Sequence, residues 1–288
     1  MKQLPKYAAI LTSLIFLLDL PETLASRISV VEWRDLSDQD ISPVAKFALS
    51  FDAPNWKHAE SEHFIYHFIN EELAETVYVN AEVYYRWVKN LFGIEKDPWK
   101  RKTQIFVFHD KIYWDSFVQR TGRGLHPEAF TTGWELFLLR HPYWLAPMQV
   151  TAHEIVHVVL FRFLEGPIPL CLNEGFAEFA SIRALAMQVG RSEFDLRTIK
   201  LIPVDQWISL EVLLESVDYP LGKAEIFYRE SELLVRYLIL TYDSNKFYTL
   251  LQRVSRGETF KRCLEEIYGM DLAEFEEKFK AYAIKGKH

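Results

Sequence analysis

The sequence predicts an α+β fold, with a small mixed sheet in an N-terminal lobe and a helical C-terminal lobe. Short aromatic and β-branched runs recur before residue 141, and apolar residues recur at helical spacing from about 142 onward. Of 288 residues 49% are hydrophobic and 15% aromatic, enough to bury a large core, which excludes a disordered chain. No internal repeat or low-complexity segment interrupts this pattern.

Residues 1–25 read as a signal peptide or N-terminal anchor. Lys2 and Lys6 precede an apolar run over 7–18, Pro21 breaks it, and Ala25 is a small residue suited to cleavage. Export to a periplasmic or extracellular location is expected. Thr23 departs from the usual cleavage pattern, so the segment could instead stay uncleaved as the chain's one membrane attachment. Residues 26–56, with Pro43 and Pro54, read as an irregular lead-in.

The main domain is expected over 57–285, its sheet-bearing lobe at about 57–141 and its helical lobe at about 142–285. Residues 63–68 (His-Phe-Ile-Tyr-His-Phe) predict a strand. Leu73, Val77, Ala81, Tyr84, Tyr85 and Val88 predict a helix over 71–92 that Gly93 stops. A second strand is expected over 102–109, a helix over 111–120, a loop at Gly122 and Gly124, and a third strand over 130–139.

Charge and cysteine content exclude several functions. There are 33 basic and 40 acidic residues, a net charge of −7 without long basic blocks, which argues against nucleic acid as a partner. Two cysteines, Cys171 and Cys263, are too few for a disulfide scaffold and lack the spacing of a thiolate zinc knuckle.

The chemistry is concentrated at 151–158, Thr-Ala-His-Glu-Ile-Val-His-Val. His153 and His157 stand four apart, so on an α-helix both imidazoles leave the same face and can share one Zn2+. Glu154 lies about a quarter turn away, where it can reach a water beside the ion without ligating it. A catalytic zinc takes three protein ligands and leaves one position open. Glu174, in Leu-Asn-Glu-Gly-Phe-Ala-Glu, is the candidate third, because Pro167 and Pro169 end the first helix and allow a second to fold back across it. Glu178, one turn on, can accept the outer ring hydrogen of a ligating histidine. His109, His126 and His141 stand alone and read as surface or hydrogen-bonded residues, and Trp114 and Trp134 as packing residues.

His-Glu-x-x-His followed by Asn-Glu-Gly-Phe-Ala-Glu resembles the gluzincin metallopeptidases. It is similar to their peptidase MA-like domains, related to the catalytic domain of zinc aminopeptidases and to thermolysin-like proteases. The resemblance implies a thermolysin-like fold, one zinc per chain on His153, His157 and Glu174, and Glu154 as general base. Asn173 and Glu178 match positions that hold the ligating histidines. Tyr228-Arg229-Glu230-Ser231 resembles the family segment whose tyrosine stabilises the oxyanion, which makes Tyr228 the catalytic donor, with Tyr219 and Tyr237 as lesser candidates. The chain departs from the aminopeptidases at Cys171, which stands where Trp is frequent, in a shorter spacer before Glu174, and in lacking the Gly-x-Met-Glu-Asn motif that grips a substrate's N-terminus. The expected activity is zinc-dependent hydrolysis of a peptide or protein substrate. A non-hydrolytic zinc-binding interaction domain of the cell envelope is the other reading, and the intact Glu154 speaks against it. The stretch 122–139 is expected to supply an edge strand above the site.

Overall fold

The computed structural model describes residues 28–95, 101–122, 127–140, 147–188, 201–219 and 222–285. The N-terminal segment read as a signal lies outside them, as do His126 and His141. No described helix is long and apolar enough to cross a membrane.

Six described strands form one mixed sheet: β1 (Val30–Val31), β2 (Lys57–Glu60), β3 (Phe64–Phe68), β4 (Thr103–Phe108), β5 (Ala129–Thr131) and β6 (Glu135–Leu139), in the order β1-β2-β3-β4-β6-β5. β3, β4 and β6 run parallel, whereas β1, β2 and β5 pair antiparallel with their neighbours. Ten described helices accompany the sheet. α1 (Pro43–Ser50), α2 (Glu71–Leu91) and α3 (Lys111–Arg120) belong to the sheet-bearing half. The helical half holds α4 (Pro147–Phe163), α5 (Leu170–Gln188), α6 (Leu210–Glu215), α7 (Ala224–Tyr237), α8 (Ser244–Ser255), α9 (Phe260–Tyr268) and α10 (Leu272–Lys285).

The central strands are apolar at every position or nearly so because both faces of the sheet are covered. In β4, Ile105 and Val107 join the large core shared with α2 and the helical half, while Phe106 and Phe108 join a second core with α1 and α3. β6 repeats the division, with Leu136 and Leu138 on one side and Phe137 and Leu139 on the other. Successive side chains of a strand point to opposite faces, so continuous apolar sequence means burial on both.

Two segments differ from the sequence reading. The span 130–139 is a hairpin rather than one strand, because Gly133 turns the chain at φ 75° between β5 and β6. Where an irregular lead-in is expected over 26–56, the described residues 28–56 form regular elements: β1 pairs with β2, and α1 starts with Ser42 as its cap and Pro43 in its first turn. A proline there needs no amide partner and begins a helix instead of breaking one. Ser42 also ties α1 to the sheet, its backbone N–H and hydroxyl both donating to the Glu135 carboxylate at 2.6 Å.

On the α1 side of the sheet, His58 and His67 face each other across β2 and β3 with their Nδ1 atoms 2.8 Å apart. Trp33 packs against both rings. His67 Nε2 bonds Gln104 Oε1 at 2.7 Å, so this nitrogen carries the hydrogen and Nδ1 accepts from His58. Burial holds the fully enclosed His67 down at about 3. The unfolded chain takes up a proton below the ordinary value of 6.5, whereas the folded chain does not until near 3, so stability falls with pH across that window. Urea unfolding is expected to lose about 2–3 kcal/mol from this residue between pH 7 and pH 4.5. A His67→Gln chain should lack that part of the slope; an unchanged slope would show that His67 takes up its proton alike in both states.

Candidate metal centre

The site is built where α4 and α5 cross. α4 is apolar on nearly all sides, with Ile155, Val156, Val158 and Val159 fully buried, so the helix lies inside the domain. Its last turn is fastened to the sheet by Arg162. That guanidinium lies 4.1 Å from the Trp134 ring centroid, donates to Thr103 Oγ1 at 2.6 Å and also to the Arg101 carbonyl. Gly133 admits the Phe161 ring, which comes within 2.8 Å of where a Cβ would stand.

After Phe163 the chain turns through 164–169, and α5 begins with Leu172 and Asn173 donating to the Pro169 carbonyl. α5 then runs back across α4 and packs along α7. The approach to α7 is possible only at glycine, since a Cβ on Gly175 would sit 2.2 Å from the Ser231 carbonyl oxygen. The residue before it, Glu174, is thereby brought to the two imidazoles.

Glu174 Oε2 lies 3.4 Å from His153 Nε2 and 3.8 Å from His157 Nε2. Ligands about 2.0–2.1 Å from a tetrahedral zinc are separated by roughly 3.3–3.4 Å, so the Glu174–His153 separation matches an edge of such a site and the Glu174–His157 separation exceeds it slightly. The outer ring nitrogens are held as well. His157 Nδ1 bonds Asn173 Oδ1 at 3.1 Å; a carbonyl oxygen only accepts, so Nδ1 carries the hydrogen and Nε2 presents its lone pair inward. His153 Nδ1 faces Glu178 Oε1 at 3.3 Å.

Burial pulls the His153 imidazole down, but bonding to Glu174 and Glu178 outweighs it and raises the group to about 10. Burial likewise pushes the Glu174 carboxyl up, yet its bond to His153 and the nearness of the two imidazoles bring it below its ordinary value. The carboxylates around His153 thus favour positive charge at this place. A divalent cation satisfies the same electrostatic demand, and the residues fit zinc in number, donor type and spacing.

Glu154 is buried to 7% exposure on the adjacent flank of α4. One donor atom each from His153, Glu154 and His157 lie within 4.8 Å of one another. Both ring Nε2 atoms face Glu174, and Glu154 lies beside them. All four residues line a cleft of about 1370 Å3, together with Asn173, Tyr219 and Tyr228.

Of the two tyrosines, Tyr228 is on α7 and Tyr219 on the loop after α6. Burial and the Glu174 carboxylate push Tyr228 well above the ordinary phenol value, so it stays a protonated donor. Tyr237 is not at the cleft: it packs against Phe275, Phe279 and Tyr282. Cys171 is fully buried, and burial pushes its thiol up to about 12, the reverse of a metal-ligating thiolate. Cys171 and Cys263 are both free and buried. His109 is half-buried at the end of β4, and Trp114 is a core residue.

The β5 residues Ala129, Phe130 and Thr131 line the cleft at the last position of the sheet order, where the stretch 122–139 is expected to supply an edge strand. One part of the cleft has no local signature in the sequence: beyond His153 and His157 the lining continues as Leu160 and Phe161 of α4 and Leu164 just after it, so it changes from imidazole to apolar. These residues do not differ in composition from ordinary core sequence.

A comparison with curated proteins gives no match. Residues 144–285, a stretch that takes in α4 to α10, match the family model of the peptidase MA superfamily, which supports a gluzincin-like peptidase MA domain there.

Proposed function

We propose that the chain is a zinc-dependent metallopeptidase that cleaves peptide bonds in the cleft between β5 and α4. The observation that carries this reading is the convergence of His153 Nε2, His157 Nε2 and Glu174 Oε2, with a buried carboxylate, Glu154, beside them. Zinc held there would supply a Lewis acid for an attacking water and for the carbonyl it attacks.

On this reading each side chain has a separate task. Glu154 accepts a proton from the water and delivers it to the leaving nitrogen. Glu178 and Asn173 keep the two imidazoles turned inward through their Nδ1 atoms. The tyrosine wall donates a hydrogen bond to the carbonyl oxygen as negative charge develops on it. β5 pairs with β6 along one side, and its other side offers backbone groups to which an extended substrate can add as a strand. The apolar stripe of Leu160, Phe161 and Leu164 favours a bulky apolar side chain near the scissile bond.

We place the reaction outside the cytoplasm on the strength of the lysine-led apolar segment at 7–18. The test is a fluorogenic peptide library presented to the zinc-loaded chain. Cleavage should disappear with a chelator, return with zinc, and prefer peptides with large apolar residues. A zinc-loaded, folded chain that cleaves no peptide would refute the hydrolytic reading and leave a metal-binding domain.

A further inference from the structure

The two tyrosines of the cleft wall are not equivalent. Tyr228 donates its hydroxyl hydrogen to the Tyr219 hydroxyl oxygen at 2.7 Å, and the rings stack with centroids 5.0 Å apart at 27°. A hydroxyl has one hydrogen, so Tyr228 spends its own within the pair. Tyr219 accepts there and keeps its hydrogen for another acceptor. Tyr219 is also the more outward of the two, 39% exposed, and its ring is steadied against the edge of Phe227 at 5.7 Å. Both line the cleft that contains Glu154 and Glu174.

We propose that Tyr219 is the catalytic residue that donates to the carbonyl oxygen of the scissile bond, and that Tyr228 is a positioning residue that orients it. The inference rests on the hydrolytic reading above. Tyr228 is carried by α7, which is seated on α5 at the Gly175–Ser231 contact, so its hydroxyl has a fixed place relative to Glu174. Tyr219 is carried by a loop and acquires a defined direction by accepting from that fixed donor. Accepting one hydrogen bond also strengthens the bond a hydroxyl donates, so the pair acts as a two-step donor with Tyr219 at its end. No proton has to leave either phenol; both serve as neutral donors throughout.

The test compares Tyr219→Phe, Tyr228→Phe and the double variant as zinc-loaded full chains, each checked for fold and zinc content. Two readouts are used: kcat and KM on a fluorogenic peptide, and the affinity of a peptidyl phosphonate, whose anionic oxygen mimics the developing oxyanion. Tyr219→Phe should lower kcat by about 10²-fold with little change in KM, the effect of removing one oxyanion donor, and should weaken the phosphonate by at least tenfold. Tyr228→Phe should lower kcat by about tenfold, again at nearly constant KM, because it removes only the alignment of Tyr219. The double variant should be no worse than Tyr219→Phe alone. A Tyr219→Phe chain with undiminished kcat, or a Tyr228→Phe loss larger than the Tyr219→Phe loss, would overturn the assignment. Wild-type protein that binds zinc and phosphonate but cleaves nothing would refute hydrolysis, while the relative phosphonate affinities would still decide between the tyrosines.

Discussion

Glu154→Gln is expected to keep the metal and lose the reaction. On the proposed reading Glu174 completes the ligand set with the two ring Nε2 atoms, and the Glu154 carboxylate is left to act on the water. Glutamine has the same shape and cannot take a proton from water. Zinc content should remain at one per chain, the thermal midpoint should change little, and kcat should fall by about 10²–10⁴-fold. His157→Ala should behave in the opposite way and lose zinc first, with activity following. The contrast between the two variants separates a base from a ligand. Equal loss of zinc in both would make Glu154 a ligand; full activity in Glu154→Gln would remove it from the reaction.

Gly175→Ala is expected to damage stability and site together. The added methyl would meet the Ser231 backbone, with the carbonyl oxygen at 2.2 Å and its carbon at 2.5 Å, and backbone cannot move aside as a flexible side chain can. α5 and α7 must therefore separate. Overpacking of this kind costs about 1–3 kcal/mol, which for a chain of this size lowers Tm by roughly 2–5 °C. The same displacement shifts Glu174, the next residue on α5, and Tyr228 on α7. Zinc affinity should fall by at least about tenfold, although no ligand has been changed. Calorimetric zinc titration below the variant's melting temperature checks this. A destabilised variant with unaltered zinc affinity would show that the α5–α7 contact supports the fold without setting the site.

Much of this arrangement is legible in the residues. The spacing of His153 and His157 determines their common face, and the apolar neighbours determine that the helix is buried, so α4 and its chemistry follow from local pattern. α2 and α3 follow equally well, their apolar periodicity being strong and their ends marked by Asn70 and Asp110 as caps, each accepting from a first-turn amide. Less legible is structure that owes its stability to a partner. β1 is two residues long and exists because β2 pairs with it. α1 is short, and its Pro43 reads as an interruption until Ser42 is seen as the cap before it. The β5–β6 hairpin reads as one strand because β6 is apolar on both faces and Gly133 is the sole mark of the turn.

The same distinction holds within the site. Glu174 and Glu178 are recognisable as a pair on one helix, but their approach to the imidazoles depends on the turn at 164–169 and on the close contact at Gly175. That contact is between residues 56 positions apart, Gly175 and Ser231, and no local sequence pattern encodes it. The direction of the hydrogen bond between Tyr228 and Tyr219 is likewise a property of the folded wall. Residue types fix which groups can do the chemistry; tertiary approach fixes which of them meet.

The most direct measurement of the central claim is a zinc titration of the folded, metal-free chain by calorimetry, with His153→Ala, His157→Ala and Glu174→Ala chains alongside. One zinc per chain should bind the unaltered protein, and each substitution should weaken that binding by orders of magnitude while circular dichroism shows the helices retained. A folded chain that binds no zinc, or binds it equally well after loss of Glu174, would contradict the account.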